Sequence, residues 1–277
     1  MLSAKMNDGK ILKGVIDAVS AIIDETYFVA DTNGVTLTAM DESHILLMSM
    51  TLPKEMFTGG FTCVNPVKVG INLEDMSKIM KRAGATDGIE LKYEKDSEKF
   101  GIVMKGRGTR SFNTRLVEVD AEKIPPTAEL DVMFNAKVTF DVNILDQAIK
   151  DAEIYGDTLD ITITKEGIKM TAVSQVGDVE YMLDNDHLDA ADITTESVDK
   201  KTKKTIGIPN AHGIFTLNFL KHILKMSAIC DKVTLSLAEN APVKVEFDII
   251  VPEIATKGRV FYFLAPRVEE KETYEGD

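Results

Sequence analysis

The chain has 277 residues, 28% of them charged and 44% hydrophobic, and its formal net charge at pH 7 is −13. That length suits two ordinary domains with a core each, and that charge excludes a protein coating nucleic acid over its whole surface, though not one with a local basic face. No apolar run is long enough to span a bilayer, the start Met1-Leu-Ser-Ala-Lys-Met lacks the apolar core of a signal peptide, and Cys63 and Cys230 give no disulfide framework, so an intracellular, reducing setting is expected.

Asp8-Gly9 opens a helix expected over 10–23, with Ile11, Leu12, Val15, Ile16, Val19 and Ile22 on its apolar side and Lys10, Lys13 and Asp17 on its polar side. Strands are expected at 27–30, 35–39, 45–50 and 61–64, with Thr32-Asn33-Gly34 as a hairpin turn. Asn72 is placed to cap a second helix, Asp75 follows three residues on, and Gly84 is placed to end it. Leu73, Met76, Ile79, Met80 and Ala83 form the apolar stripe of that helix, and Lys78, Lys81 and Arg82 lie opposite. Alternating strands at 89–93 and 100–104 lead to an extended run at 110–119. All periodicity then stops at Lys123-Ile124-Pro125-Pro126, because two consecutive prolines lack amide donors and fix φ.

Beyond the prolines the plan repeats. Ile11-Leu12 and Gly34-Val35 match Ile144-Leu145 and Gly167-Ile168 at an offset of 133, which also carries Ala39 onto Ala172. Leu73, Ile79, Ile89 and Leu91 match Leu217, Ile223, Val233 and Leu235 at an offset of 144. The second half holds a strand at 138–142 and a helix at 143–154, with Ile144, Leu145, Ala148 and Ile149 inside and Gln147, Lys150 and Asp151 outside. Strands follow at 159–163, 167–172 and 179–183. The charged stretch 184–204, where the extra residues fall, is expected to be a solvated loop. A helix at 217–228, carrying Lys221 and Lys225 one turn apart, precedes strands at 233–237 and 243–247, the segment 259–267 and an acidic tail.

The fold class is therefore α+β: two similar domains of antiparallel sheets with helices on one face. The domains are expected at 1–117 and 135–267, joined by a connector at 118–134 and followed by the tail 268–277. No catalytic residue, metal ligand or cofactor is assigned. His44, His187, His212 and His222 form no metal-spaced pair, Gly106-Arg-Gly108 is a turn fragment, and the carboxylates are scattered. A lysine on an outer helix face is ordinarily just solvated. Here Lys10, Lys13, Lys78, Lys81, Arg82, Lys150, Lys221 and Lys225 recur on equivalent faces of four helices, while the acids lie mostly on strands, loops and the tail. Such segregation suits contact with phosphates without base readout.

The blocks Ile11-Leu-Lys13, Gly34-Val-x-Leu, Met40-Asp-x-Ser-His-Ile, Leu73-x-x-Met-Ser-Lys-Ile, the Ile-Pro connector and Leu264-Ala-Pro-Arg run in order over nearly the whole chain. They resemble DNA sliding clamps of the proliferating cell nuclear antigen (PCNA) family, with an archaeal source as the expectation. The resemblance implies a processivity factor: a trimeric ring around duplex DNA, its hole lined by helices and its outer layer made of strands. It places Lys13, Lys78, Lys81, Lys150 and Lys225 in the hole with Arg82 and Lys221 beside them, and Gly14, Ser20, Gln147 and Asn218 where relatives often carry a cation. It also implies an outer pocket of Met40, Ile45, Leu47, Ile124, Pro125, Pro242, Phe263 and Ala265 that takes short hydrophobic docking peptides of DNA polymerase, the clamp loader, flap endonuclease and ligase. Subunits of such clamps join edge to edge, here through 110–117 and 179–183. The location implied is cytoplasm or nucleoid for an archaeal source and nucleus for a eukaryotic one, with no membrane partner. Two alternatives stand beside this: a checkpoint-type clamp subunit of a heterotrimer of three unlike chains, and a metal-dependent nuclease.

Overall fold

In the computed structural model of the chain, residues 1–95, 97–119, 132–198, 205–208, 210–252 and 254–267 are described. The first half runs β1 (Leu2–Met6), α1 (Lys10–Val19), β2 (Glu25–Ala30), β3 (Gly34–Met40), β4 (Leu46–Pro53), β5 (Gly60–Cys63), β6 (Val67–Asn72), α2 (Leu73–Met80), β7 (Gly88–Tyr93), β8 (Lys99–Lys105) and β9 (Thr109–Arg115). The second runs β10 (Ala136–Asp141), α3 (Val142–Ala152), β11 (Thr158–Thr164), β12 (Gly167–Ser174), β13 (Gly177–Asp184), β14 (Ala190–Ile193), β15 (Glu196–Val198), β16 (Thr205–Gly207), β17 (Ala211–Thr216), α4 (Leu217–Ile223), β18 (Lys232–Leu237), β19 (Val243–Ile249) and β20 (Gly258–Leu264).

Among the described residues the sheets have the orders β5-β1-β7-β8-β9, β14-β10-β18-β19-β20-β4-β3-β2-β6, β13-β12-β11-β17 and β15-β16. The repeat read from sequence is thus a repeat of topology. The unit β5-β1-β7-β8-β9 recurs as β14-β10-β18-β19-β20, and β4-β3-β2-β6 recurs as β13-β12-β11-β17. Antiparallel pairing of β20 with β4, from Arg259 opposite Thr51 to Leu264 opposite Leu46, fuses a unit of each half into one nine-stranded sheet. Alternation along these strands sends one residue of each pair to a shared core; Phe28, Leu37, Met48 and Met50 meet Phe247, Val260 and Tyr262 there.

The matched glycines share one physical reason. Gly34 has φ +153° and Gly167 +147°, and an added Cβ would lie 2.2 Å from the carbonyl oxygen of Leu52 or of Leu183. Only a residue without Cβ fits either turn.

The helices start where expected and end sooner. Asn72 accepts from the amide of Asp75 at 2.9 Å, capping α2, and Asp8 accepts from that of Lys10 at 2.8 Å. After Val19 the chain tightens through the Ala21 to Ala18 and Ile22 to Val19 hydrogen bonds instead of continuing to residue 23. Gly84 is not the terminator of α2, which ends at Met80; its amide donates instead to the Asp87 carboxylate at 2.9 Å. The α4 helix gives way to a 3-10 turn over Leu224–Ala228.

Six strands differ from the expectation: β1, β6, β14, β15, β16 and β17. β1 offers only Leu2, Ala4 and Met6 to the core, while β6 and β17 run directly into α2 and α4, so their short alternation merges with helical spacing. The stretch 184–204 is also not simply a loop. β14 lies against β10 as β5 lies against β1, and β15 and β16 form a small separate ladder. β14 is short and three of its four residues are exposed, so it carries little alternation. The proline connector core, 120–131, and the tail 268–277 lie outside the described residues.

Candidate nucleic-acid interface and partner-docking pocket

The four α-helices form one row in the order α2, α1, α4, α3, with α1 touching α2 and the turn after α4, and α3 touching α4. Their apolar stripes are buried: Leu12, Val15 and Ile16 in α1, Leu73 and Met76 in α2, Leu145 and Ile149 in α3, Leu217 and Leu220 in α4. The opposite faces carry the cations together. Lys10, Lys78, Lys81, Arg82, Lys150, Lys221 and Lys225 are exposed, and Lys13 is half-buried. Gly14 is not on this surface. It is buried in α1, and an added Cβ would lie 2.6 Å from Cγ2 of Ile229. It serves close packing of the two halves.

The acids are less segregated than the sequence suggested. Lys78 pairs with Glu74 at 2.7 Å and Asp75 at 3.6 Å, one turn back on α2. Lys78 beside Glu74 holds that carboxyl below its ordinary range. Lys150 pairs with Asp146, and Lys221 reaches across to Glu153 beyond α3. Lys10, Lys13, Lys81, Arg82 and Lys225 make no ion pair among the described residues, so the unneutralised charge sits chiefly on α1, the end of α2 and the turn after α4. A cavity of about 230 Å³ between α3 and α4 is lined by Lys150, Lys221 and Lys225 together with Asp146 and Glu153. His222 feels this field: burial first, and then the Lys225 and Lys221 charges, push its pKa down.

On the sheet face away from the helices, the pocket residues form a cross-strand row. Leu47 of β4 lies opposite Met40 of β3 on one side and opposite Phe263 of β20 on the other. Side chains in such a row are neighbours. Met40 is half-buried and Ile45 exposed, while Leu47 and Phe263 are 6% and 3% exposed. Ala265 donates its amide to the Ile45 carbonyl at 3.0 Å, and Pro242 directly precedes β19, whose Val243 lies opposite Leu264. Six of the eight expected residues thus gather at one end of the β20–β4 junction; Ile124 and Pro125 lie outside the described residues.

Sequence reading missed two aromatics. Phe134 lies nearly parallel to Phe263, centroids 6.4 Å apart, and Phe261 meets Phe263 edge to face at 5.7 Å. Lys244, opposite Phe263, lies 4.9 Å above the Phe261 ring. The signal was present for Phe261, which lies two residues before Phe263 and so shares its face. Phe134 has no periodic context. A groove of about 240 Å³ continues from Phe134 past Lys137, Asp192, Ser236 and Glu246.

Both strands expected to join subunits are edge strands. Among the described residues β9 pairs only with β8, and β13 only with β12. β9 carries Arg110 and Arg115, and β13 carries Asp178, Glu180 and Asp184.

Among the described residues no group of three or more His, Cys, Asp or Glu side chains could hold a metal ion, and no helix is long and apolar enough to cross a membrane. Two family models match the chain: proliferating cell nuclear antigen, N-terminal domain, over residues 1–123, and proliferating cell nuclear antigen, C-terminal domain, over residues 129–267. Clamps of this family encircle DNA, bind polymerases and other replication and repair factors, and are typically non-enzymatic processivity factors. With both domains matched in order on a chain of the expected two-fold plan, this protein belongs to the proliferating cell nuclear antigen family of DNA sliding clamps.

Proposed function

We propose that three copies of this chain close head to tail into a homotrimeric ring that slides on duplex DNA, and that the ring tethers DNA polymerase, clamp loader, flap endonuclease and ligase through short hydrophobic peptides. Residues 1–117 and 135–267 are the two clamp domains, and 118–134 is the connector between them. The eight helical cations face the DNA, and the row of Met40, Leu47 and Phe263, with Ile45, Pro242 and Ala265 around it, takes the peptides. Topology supplies residence time, and weak phosphate contacts permit sliding. No bond chemistry is assigned to any residue.

The observation that carries this reading is the β20–β4 junction. Each chain contains it once between its own halves, and its counterparts under the repeat, β9 and β13, are both edge strands among the described residues. The repeat also supplies a register. Leu91 corresponds to Leu235, so their partners Ile102 and Val245 correspond, and so do the next partners, Phe112 and Tyr262. Ala39 corresponds to Ala172, so their partners Met48 and Val179 correspond. Tyr262 lies opposite Met48 within the chain, so Phe112 lies opposite Val179 of the next copy. Both are half-buried where Tyr262 and Met48 are fully buried, as expected of a junction awaiting its other side. Arg115 on one edge and carboxylates on the other make the two edges complementary in charge, while Arg110 is held by Asp87 of its own chain.

Light scattering over a dilution series tests the reading. A mass of three chains supports the homotrimer. A mass of one chain throughout overturns it in favour of a heteromeric clamp requiring unlike subunits.

A further inference from the structure

The connection between β3 and β4 is folded around one carboxylate. Asp41 is 8% exposed. Its Oδ1 accepts from the amides of Ile45 at 2.7 Å and Leu46 at 2.6 Å, and its Oδ2 from the amide of Ser43 at 3.1 Å and from the Ser43 hydroxyl. The Asp41 amide donates to the Leu46 carbonyl and its carbonyl accepts from His44, both at 3.0 Å. His44 is held in the left-handed region at φ 59°, which non-glycine residues seldom adopt. These bonds keep the exposed Ile45 on the rim. The carbonyl of Ile45 in turn accepts from the Ala265 amide, beyond β20 in the other half of the chain.

We infer that Asp41 is a positioning residue of the docking pocket: its carboxylate fixes the Ile45 backbone, and through it Ala265, so that the two halves present one rigid rim to a peptide anchor. The inference rests on the pocket reading above. A loop of this length without an internal acceptor would leave three amides to water and let Ile45 move, and a peptide would then bear the cost of ordering it. The charged acceptor is the strong element, since hydrogen bonds to an ionised group are about twice as strong as neutral ones.

The probe is a short fluorescent peptide with large hydrophobic anchor side chains, titrated into the intact protein. Asp41→Asn keeps the shape and replaces an acceptor by a donor. The expected result is a loss of affinity on the order of tenfold, faster hydrogen exchange at the Ile45, Leu46 and Ala265 amides, and an unchanged assembly mass. In a double-mutant cycle with Ile45→Ala the two losses fall short of additive, because Asp41 acts through Ile45; additive losses would mean a general structural role and overturn the inference. Full affinity in Asp41→Asn while Met40→Ala is weakened overturns the inference alone. Full affinity in both overturns the pocket reading and the inference with it. Should Asp41→Asn fail to fold, Ser43→Ala removes one donor pair without burying anything new; a loss of about threefold is then expected, and no loss overturns the inference.

Discussion

Phe263 lies directly opposite Leu47 although one belongs to the last strand of the chain and the other to its fourth. The junction that unites the two halves into one sheet therefore also carries the side chains proposed to dock partner peptides. A variant at this row tests the proposed docking and the integrity of the seam together, and this governs which variants are informative.

Met40 is half-buried at the edge of the row, so its truncation removes contact area without opening the core. Met40→Ala should weaken docking-peptide binding by about 1–2 kcal/mol with the thermal midpoint little changed. Phe263→Ala should weaken binding as well, but at 3% exposure it should also cost about 3–5 kcal/mol of stability. Peptide titration and calorimetry on both variants separate the two effects. Normal peptide affinity in both would remove the pocket assignment.

The helical cations are not equivalent. Lys81 and Lys225 are exposed without an ion-pair partner among the described residues, whereas Lys78 is held by Glu74 and Asp75. Each of Lys81→Ala and Lys225→Ala should lower the slope of log affinity against log salt by about 1 per subunit for the loaded ring, and Lys78→Ala by less. Retention of the protein on circular DNA across a salt series measures this. Equal slopes for all three variants would contradict the ranking.

The inferred junction has a covalent test. The register that sets Phe112 opposite Val179 also sets Ser111 opposite Glu180, the counterparts of Phe261 and Ser49. Cysteines at Ser111 and Glu180 should form a disulfide between copies under mild oxidation, since directly opposed antiparallel residues fall within disulfide range. Ser111→Cys with Asp178→Cys, two residues out of register, should couple far more slowly. Cys63 and Cys230 are buried and should not compete. Equal coupling of the two designs on a denaturing gel would refute the register.

Glu90, on β7, is 5% exposed and faces Lys5, Lys92 and Lys105 at 3.3, 3.4 and 3.6 Å. Burial by itself would raise its pKa, but the hydrogen bonds from Ser3 and Lys5 and the nearby lysine charges outweigh it and hold the pKa below the ordinary range. A depressed carboxylate stabilises the fold at pH above its unfolded value, and that contribution is lost as pH falls through the folded one. Glu90→Gln should therefore cost about 1–3 kcal/mol at neutral pH and progressively less in acid. Denaturant midpoints of both proteins at pH 7 and in strong acid check the sign; a constant difference would show that Glu90 acts by packing alone.

What could be read from the chain alone followed from short-range regularities. The helical faces bearing Lys78, Lys81 and Lys150, the Asn72 cap, the Gly34 and Gly167 turns and the two-fold plan all follow from spacings within a few residues or from a block recurring at fixed offset. β1, β6, β17 and the pairing of 184–204 were illegible for the same reason, because weak or charged alternation carries little local signal. Motif resemblance, not periodicity, brought Met40, Leu47 and Phe263 together before the structure did.

The sequence by itself determined most of the secondary elements, their repetition and the side of each helix that stays in water, because periods of two and 3.6 are imposed by local backbone geometry. Only the tertiary structure decided that β20 closes on β4, that Glu153 neutralises Lys221, that Gly14 packs against Ile229, and that Ile45 is tied to Ala265. Each of these depends on segments far apart in the chain meeting at a defined place. Antiparallel pairing of Leu46 with Leu264 leaves no trace in the residues flanking either one.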